Sequence, residues 1–204
     1  WQKTVNALFD VKINYFFRVN FVSIVKIIDA LGGLKINNPY EFHTYSGLDS
    51  KTYEPHQYAH FPEGEIVLTG GQAIGYVRER YGKKPDGSNI GDLGRNEHQA
   101  IVVDALIKQV TSVSTIVNIS SLLTAVEGTF FTDISIDSIY ALAQMQLNDM
   151  AVWKVTQHHL KGSGGSRPSH AMGCRLLSMV ILNTKSVNQA KELIKKVLNN
   201  EVIE

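Results

Sequence analysis

The sequence predicts an α/β domain in which helices flank a mixed central sheet. The first observation is a strand-helix-strand pattern: residues 11–20 alternate as a strand does, residues 21–31 carry a helical apolar stripe, and residues 34–37 resume a strand. The second observation is the return of strand and helix patterns after residue 150. The chain has 204 residues, of which 44% are hydrophobic, so one core can form without disulfides. We therefore expect residues 1–204 to form one domain.

The first half of the chain predicts three helices and a long loop. Residues 1–9 are expected to be the last part of a short helix. Gly32–Gly33 ends the helix of residues 21–31. Residues 38–65 lack periodicity and are rich in Pro, Tyr, His and Gly, so they predict a long loop. Thr69 and Gln72 fit the S/T-x-x-E/Q capping box, which starts the third helix.

The second half predicts four more helices and two strands. Residues 81–94 form a glycine-rich loop, within which Asp92 is expected to cap a long helix whose apolar face is at 101, 102, 105 and 106. The remaining elements are helices around 115–126 and 137–146, strands at 152–160 and 176–182, a loop tip at 162–166, and a closing helix whose capping box is Ser186 with Gln189.

Composition and charge exclude several classes of protein. The formal net charge of +1 gives no general attraction to nucleic acid, so any anion site must be local. Cys174 is the one cysteine, so an internal disulfide is excluded. The most apolar window, residues 21–34, is too short to span a bilayer. The sequence begins without an initiator Met or a targeting segment, which predicts that it is a trimmed part of a longer protein.

Three arginines and a glutamine form the strongest candidate site. Arg78 and Arg80 lie near the predicted end of the third helix, where a bend in the chain would let both reach one ligand. Arg95 and Gln99 are four residues apart and share a helix face, near a helix start that favours anions. Arginine binds phosphate oxygens bidentately and stays protonated. The spacing is therefore compatible with a phosphate or pyrophosphate clamp.

The same spacing leaves an ordinary alternative open. Charged helix ends are common and mostly inert, so Arg78 and Arg80 would then face water. Arg95 would pair with Asp92 or Glu97. On spacing alone, this solvated surface is favoured over the clamp.

Other polar residues give weaker signals. His56 and His60 have a spacing that zinc sites use, but Pro55 argues against a helix and nothing completes the site, so no metal site is predicted. Residues 162–166 lack the Lys-Ser/Thr of a P-loop, which excludes an NTPase. The remaining candidates are expected to be structural: His158 and His159 on opposite faces of a strand, Cys174 in or near the core, and Asp133 and Asp137 at helix starts.

Several ordered segments resemble the LytR-CpsA-Psr family. FVSIVKIIDALGGLKINNP at 21–39 is similar to the family's F..+vdaLGGv.vnvP segment. FPEG at 61–64 and LTGGQAIGYVRER at 68–80 are similar to its F..G...LnG.qALaYvR.R motif. DLGR at 92–95 with Gln99 is similar to DfgR..RQ, and HAMG at 170–173 is similar to a weaker C-terminal segment. The resemblance covers most of the chain.

This resemblance implies a membrane-anchored phosphotransferase on the outer face of the cytoplasmic membrane, chiefly in Gram-positive bacteria. Such enzymes move capsule or teichoic acid glycopolymers from polyprenyl pyrophosphate onto peptidoglycan. The resemblance assigns Arg78, Arg80, Arg95 and Gln99 to pyrophosphate binding, with Arg78 as the catalytic residue, and apolar side chains between sheet and helices to the polyprenyl tail. It also implies magnesium at the pyrophosphate, held by two aspartates that would precede Trp1. Asp92 is expected to orient Arg95 rather than bind metal.

The sequence departs from the family pattern in two places. His98 stands where the family has an arginine, which replaces a fixed charge by one expected to titrate near neutrality. The family's domain also begins before the point where this sequence starts, so we expect a C-terminal portion that is inactive alone. The alternative function is a non-catalytic module that binds polyprenyl phosphate or another anionic lipid. Self-association through a sheet edge is left open.

Overall fold

The computed structural model describes residues 1–44 and 59–201, which form two compact units. The larger unit comprises residues 15–155, and the smaller unit combines residues 1–14 with residues from 156 onward. Within the described ranges, every helix is too short or too polar to cross a bilayer.

The larger unit alternates short strands with helices. Its elements are β1 (Phe17–Arg18), α2 (Phe21–Ala30), β2 (Leu34–Asn38), β3 (Phe42–Thr44), β4 (Ala59–Phe61), β5 (Gly64–Leu68), α3 (Gly70–Arg78), α4 (Gly91–Val110), α5 (Val113–Val117), α6 (Ile119–Ala125), β6 (Phe131–Thr132) and α7 (Ile136–Asp149). The strands pair antiparallel, β1 with β6, β2 with β5, and β3 with β4.

The smaller unit is built on a hairpin and two helices. Its elements are α1 (Gln2–Phe9), β7 (Gly162–Ser169), a 3-10 turn (His170–Met172), β8 (Arg175–Leu182) and α8 (Thr184–Leu198). Strands β7 and β8 pair antiparallel along their full length, and α1 contacts α8.

The core of the larger unit lies between the strand pairs and helices α2, α3 and α4. Leu34 and Ile36 of β2 are buried and alternate with exposed residues, as expected when one face of a strand covers a core. Phe42 and Phe61 stack with ring centroids 5.0 Å apart and pack on Tyr76 of α3. The predicted apolar face of α4 is confirmed: Val102 is buried, and Ile101, Ala105 and Leu106 pack against the core.

Helices α2 and α3 pack closely because Gly70 has no side chain. A Cβ atom on Gly70 would lie 2.5 Å from the Val25 Cα, which no real side chain tolerates. The Gly70 N–H donates to Asp29 Oδ1 at 2.8 Å and ties the start of α3 to the end of α2. The two helices therefore meet backbone to backbone.

The helix predictions of the first half and the strand predicted at 34–37 are confirmed, whereas the predicted strand 11–20 and loop 38–65 are less accurate. The predicted helices are α1, α2 and α3, and Thr69 and Gln72 form the expected capping box. Within the strand predicted at 11–20, Phe17–Arg18 form strand β1, and both residues pair with β6. The predicted loop 38–65 contains β3, β4 and the start of β5, while residues 45–58 lie outside the described residues.

In the second half, the expected caps of two helices differ from those of the structure. Helix α4 begins at Gly91 after Ile90, so Asp92 lies in its first turn and is not the cap. Asn183 caps α8 in place of Ser186, whose hydroxyl instead accepts a bond from the Lys161 N–H. The helix expected at 115–126 divides into α5 and α6, whereas the helix expected at 137–146 is α7.

The strand predicted at 152–160 is absent, and the loop tip predicted at 162–166 is part of β7. Glycine permits this strand because β8 lies very close: a Cβ on Gly162 would lie 2.6 Å from the Ile181 carbonyl oxygen. The strand predicted at 176–182 is β8. Composition alone indicates a turn at 162–166, whereas pairing with an apolar neighbour decides the structure.

Candidate functional site

Arg78 is the last residue of α3 and lies beside α2. Its side chain is exposed, and its guanidinium carbon lies 5.1 Å from the ring centroid of Phe21, the first residue of α2. This cation–π contact orients the guanidinium while leaving its N–H groups available to a ligand.

Glu79 shapes the turn that follows α3. Its side chain is buried, and Oε1 accepts hydrogen bonds from the N–H groups of Arg80, Tyr81 and Gly82 at 2.7–2.9 Å. The chain leaves the helix at Glu79, whose backbone is extended. The bend that the sequence required between Arg78 and Arg80 is therefore built by a carboxylate that sequence reasoning missed.

Asp92 joins Arg80 to Arg95. Arg80 contacts both carboxylate oxygens of Asp92, Nε with Oδ1 at 3.2 Å and Nη2 with Oδ2 at 3.3 Å. Arg95 Nη2 lies 2.9 Å from Oδ1 of the same carboxylate. The expectation that Asp92 orients Arg95 is confirmed. The same contact is also the Arg95–Asp92 pair that was expected if the arginines only form a solvated surface. Glu97 instead lies 3.9 Å from Lys84.

Arg95 retains a donor that the described residues do not satisfy. Its Nε atom is buried and has no hydrogen-bond partner in the described part of the chain. A buried donor of this kind is costly unless an acceptor satisfies it.

Gln99 packs its amide against the last turn of α3. Its Nε2 donates to the carbonyl of Val77, the residue before Arg78, at 3.3 Å. The structure thus joins Arg80 to Arg95 through Asp92 and places Gln99 next to the backbone that carries Arg78. We call Arg78, Arg80, Arg95 and Gln99 the arginine cluster.

His98 lies in the core and not at the surface. It is fully buried, and its ring stacks on Phe42 with centroids 4.8 Å apart. Nδ1 lies 3.1 Å from the Tyr76 carbonyl and must donate to it, so Nε2 accepts from the Tyr40 hydroxyl at 3.0 Å. Burial lowers the pKa of His98 from 6.5 to about 4. The expected titration near neutrality is therefore wrong, because desolvation disfavours the charged ring.

A buried polar network extends from His98 and fixes α4 against α3. The Tyr76 hydroxyl donates to Asn38 Oδ1 at 2.9 Å, and burial raises the pKa of Tyr76 so that it stays protonated. Asn38 Nδ2 donates to the carbonyls of Tyr40 and Pro62 at 2.7 and 2.8 Å. Since His98 belongs to α4 and Tyr76 to α3, this network holds Arg95 and Gln99 in place relative to Arg78.

An apolar cavity of about 610 Å³ lies in the larger unit. Its walls include Ile24 and Ile27 of α2, Val103 of α4 and Leu122 of α6, and Thr111 is the polar residue among the described ones that line it. The volume falls within the range of roughly 300–1,000 Å³ that ligand pockets occupy. Ile24 follows Phe21 by one helical turn, so α2 leads from the Arg78 contact to the cavity wall.

The weaker candidates have mixed outcomes. Cys174 is exposed, contrary to its expected place in or near the core, and lies shortly after the 3-10 turn with a positive φ of 62°. Asp137 lies in the first turn of α7 as expected, whereas Asp133 accepts a hydrogen bond from the Phe16 N–H at 2.8 Å. His56 lies outside the described residues, and His158 and His159 are exposed but not on a strand.

The residues at the arginine cluster do not supply a magnesium site. Magnesium prefers oxygen ligands in near-octahedral geometry. Asp92 provides the carboxylate at the cluster, and guanidinium groups engage both of its oxygens. Both oxygens of this carboxylate are therefore engaged by arginines and are not free to bind a hard cation.

The chain belongs to the LytR_cpsA_psr family, whose model matches residues 1–196. It is 32% identical over 161 residues to the polyisoprenyl-teichoic acid–peptidoglycan teichoic acid transferase TagU of Enterococcus faecalis, a match that covers 79% of this chain and 47% of the relative. TagU of Bacillus subtilis is 31% identical over 162 residues, a match that covers 79% of this chain and 46% of that relative. The chain spans about half the length of these curated relatives.

The fold is that of the same family. The crystal structure of TagV from B. subtilis superimposes with a TM-score of 0.71 at 21% identity, covering 99% of this chain and 70% of that chain. This likeness confirms the predicted α/β fold class, although the described strands form separate antiparallel pairs and not the one mixed sheet that the sequence predicted. Family membership is also consistent with a reaction that uses a divalent metal.

Replacing Glu79 with glutamine is expected to lower the free energy of unfolding by about 1–3 kcal/mol, because hydrogen bonds to a charged acceptor become neutral ones. Urea denaturation followed by circular dichroism measures this change. Glu97→Gln is the matched control, since Glu97 is exposed and makes one long ion pair. Equal stability of Glu79→Gln and the wild type would show that the charge does not hold the turn.

Proposed function

We propose that this chain is part of a phosphotransferase that moves a glycopolymer of the capsule or teichoic acid type from a polyprenyl pyrophosphate carrier onto peptidoglycan. The observation that carries the proposal is the position of Arg78. It lies over Phe21 at the start of α2, and the next turns of α2 line an apolar cavity. A cationic site and an apolar cavity joined by one helix suit a ligand with an anionic head and an apolar tail.

The names of the relatives support the same ligand chemistry. TagU is named for the transfer of teichoic acid from a polyisoprenyl carrier to peptidoglycan. A solved structure of TagT, with a TM-score of 0.62, is described as bound to LI-WTA. For this chain, the glycan donor and the peptidoglycan acceptor are part of the proposal.

Each member of the arginine cluster has a proposed role. Arg78 holds the phosphoryl oxygens at which negative charge develops, which makes it the catalytic residue of the cluster. Arg80 and Arg95, which Asp92 holds together, bind the second phosphate. Gln99 donates an amide N–H beside Arg78.

The wider setting follows from the proposed substrates. A polyprenyl carrier lies in a membrane and peptidoglycan lies outside it, so the protein acts at the outer face of the cytoplasmic membrane. Magnesium is the expected divalent partner of the pyrophosphate. Its ligands are proposed to be residues other than those of the arginine cluster.

A series of prenyl pyrophosphates tests the cavity assignment. Each isoprene unit added to the ligand should raise its affinity at least about ten-fold, as long as the cavity can bury that unit. Burial of apolar chain contributes about 0.8 kcal/mol per CH₂. Isothermal titration with inorganic, geranyl and farnesyl pyrophosphate measures this dependence.

Val103→Trp should flatten the dependence on prenyl length, because Val103 lines the cavity. Its exposed fraction of 47% makes the larger side chain tolerable to the fold. Val113→Trp is the matched control, with 44% exposure and a position outside the cavity lining. Affinity independent of prenyl length in the wild type would refute the cavity as the tail site.

A further inference from the structure

We propose that Glu41, His43 and His60 bind a divalent metal ion such as Zn²⁺ or Co²⁺. One ligand atom from each residue, two imidazole nitrogens and a carboxylate oxygen, lie within 4.8 Å of one another. This site, which we call the histidine pair site, is formed by residues outside the arginine cluster. The proposal does not depend on the transferase function.

The pairing of β3 with β4 brings these side chains together. His43 lies directly opposite His60 in the strand register, and their rings stack with centroids 4.5 Å apart. Glu41 precedes His43 by two residues, so in extended chain its side chain points to the same face. Glu41 Oε1 lies 2.7 Å from His60 Nε2.

The opposite face of the same strands holds the site in place. Phe42 and Phe61, the neighbours of the two histidines, are 2% and 1% exposed and stack on each other. Because these rings anchor both backbones in the core, the histidines project from a fixed pair of strands. Rigid elements support metal ligands better than free loops do.

The donor set identifies the class of metal. Two imidazoles and one carboxylate are the ligands of zinc sites that keep a fourth position for water, whereas magnesium requires oxygen ligands. Bonds of about 2.0–2.1 Å to a tetrahedral zinc place ligand atoms roughly 3.3 Å apart. The 2.7 Å contact must therefore open slightly and the widest pair must close by at most about 1.5 Å.

Side-chain rotation alone supplies movements of this size. The side chains of His60 and Glu41 are 45% and 59% exposed, so water and metal reach them. A bound metal would also cross-link the two strands that bracket residues 45–58 in the sequence.

Titration of the untagged 204-residue chain with Zn²⁺ tests the proposal, with Co²⁺ absorption as a spectroscopic readout of coordination. We expect one equivalent to bind at this site. Removal of one ligand should weaken binding by more than ten-fold, because even outer-shell partners of metal ligands contribute ten-fold or more. His60→Ala and Glu41→Gln should both show this loss, and Mg²⁺ should not compete.

His158→Ala is the matched control, since it removes an exposed histidine of the smaller unit. It should leave Zn²⁺ affinity and the Co²⁺ spectrum unchanged. Unchanged Zn²⁺ affinity in both His60→Ala and a His43→Ala, His60→Ala double variant would overturn the site. An effect of the histidine variants without an effect of Glu41→Gln would overturn the three-ligand set.

Discussion

Replacing Arg78 with alanine should lower the affinity of the chain for farnesyl pyrophosphate by about ten- to one hundred-fold, because hydrogen bonds to charged groups contribute about 1.5–3 kcal/mol. Isothermal titration at one fixed ionic strength measures the change. The loss should also appear with inorganic pyrophosphate, since Arg78 contacts the head group in the proposed complex and not the tail.

Two further variants complete this experiment: one separates the charge of Arg78 from its geometry, and the other is a control. Arg78→Lys keeps the positive charge but loses the planar fork, so it should bind with intermediate affinity. Arg175→Ala removes one exposed arginine of the smaller unit and should bind as the wild type does. If Arg78→Ala bound farnesyl pyrophosphate as tightly as the wild type, the head-group assignment would fail.

The same substitution distinguishes an enzyme from a binding module. In the protein that carries out transfer, Arg78→Ala should abolish release of polyprenyl phosphate even when the donor is saturating. A non-catalytic module would show only the loss of affinity. Transfer at the wild-type rate under saturation would therefore exclude a catalytic role for Arg78.

Acid should destabilise the larger unit through His98. Its pKa is 6.5 when unfolded and about 4 when folded, so the unfolded chain binds the additional proton between these values. The stabilising contribution is complete above pH 6.5 and is lost as the pH falls from 6.5 towards 4. The total loss is about 3 kcal/mol, at 1.36 kcal/mol per pKa unit.

Urea denaturation at pH 7, 6 and 5 measures this dependence. His98→Phe should be less stable at pH 7, since the Tyr76 carbonyl and the Tyr40 hydroxyl lose their partner, but its stability should fall less with acid. His170→Asn, which replaces an exposed histidine, should keep the wild-type slope. A wild-type slope in His98→Phe would contradict the lowered pKa.

Local signals in the sequence were enough for several elements of the fold. The Thr69–Gln72 capping box and the stripe on α2 predict helices correctly, because each depends on residues within a few positions. Strand β7 could not be predicted in this way, since its glycines and serines indicate a turn. Its structure depends on pairing with β8, whose residues lie farther along the chain.

The candidate site was predictable only where it depends on residues that lie near one another in the sequence. The motif places Arg80 and Arg95 near each other, and Asp92 joins them in the structure. The burial of His98 was not predictable from its residue type, because it depends on the aromatic rings of Tyr76 in α3 and Phe42 in β3. Glu79 was overlooked because it lies between two arginines and suggests a surface position, whereas its acceptor role requires the three-dimensional turn.

The close contact between α2 and α3 has a consequence for the choice of ligand. Gly70 lets the α3 backbone touch Val25, so Arg78 at the end of α3 and the cavity wall at Ile24 keep a fixed separation. A charged group and an apolar chain can occupy both places together only if the covalent distance between them matches this separation. If the proposed function holds, the junction of the two helices would select amphiphiles by their internal spacing, a criterion that neither charge nor hydrophobicity imposes by itself.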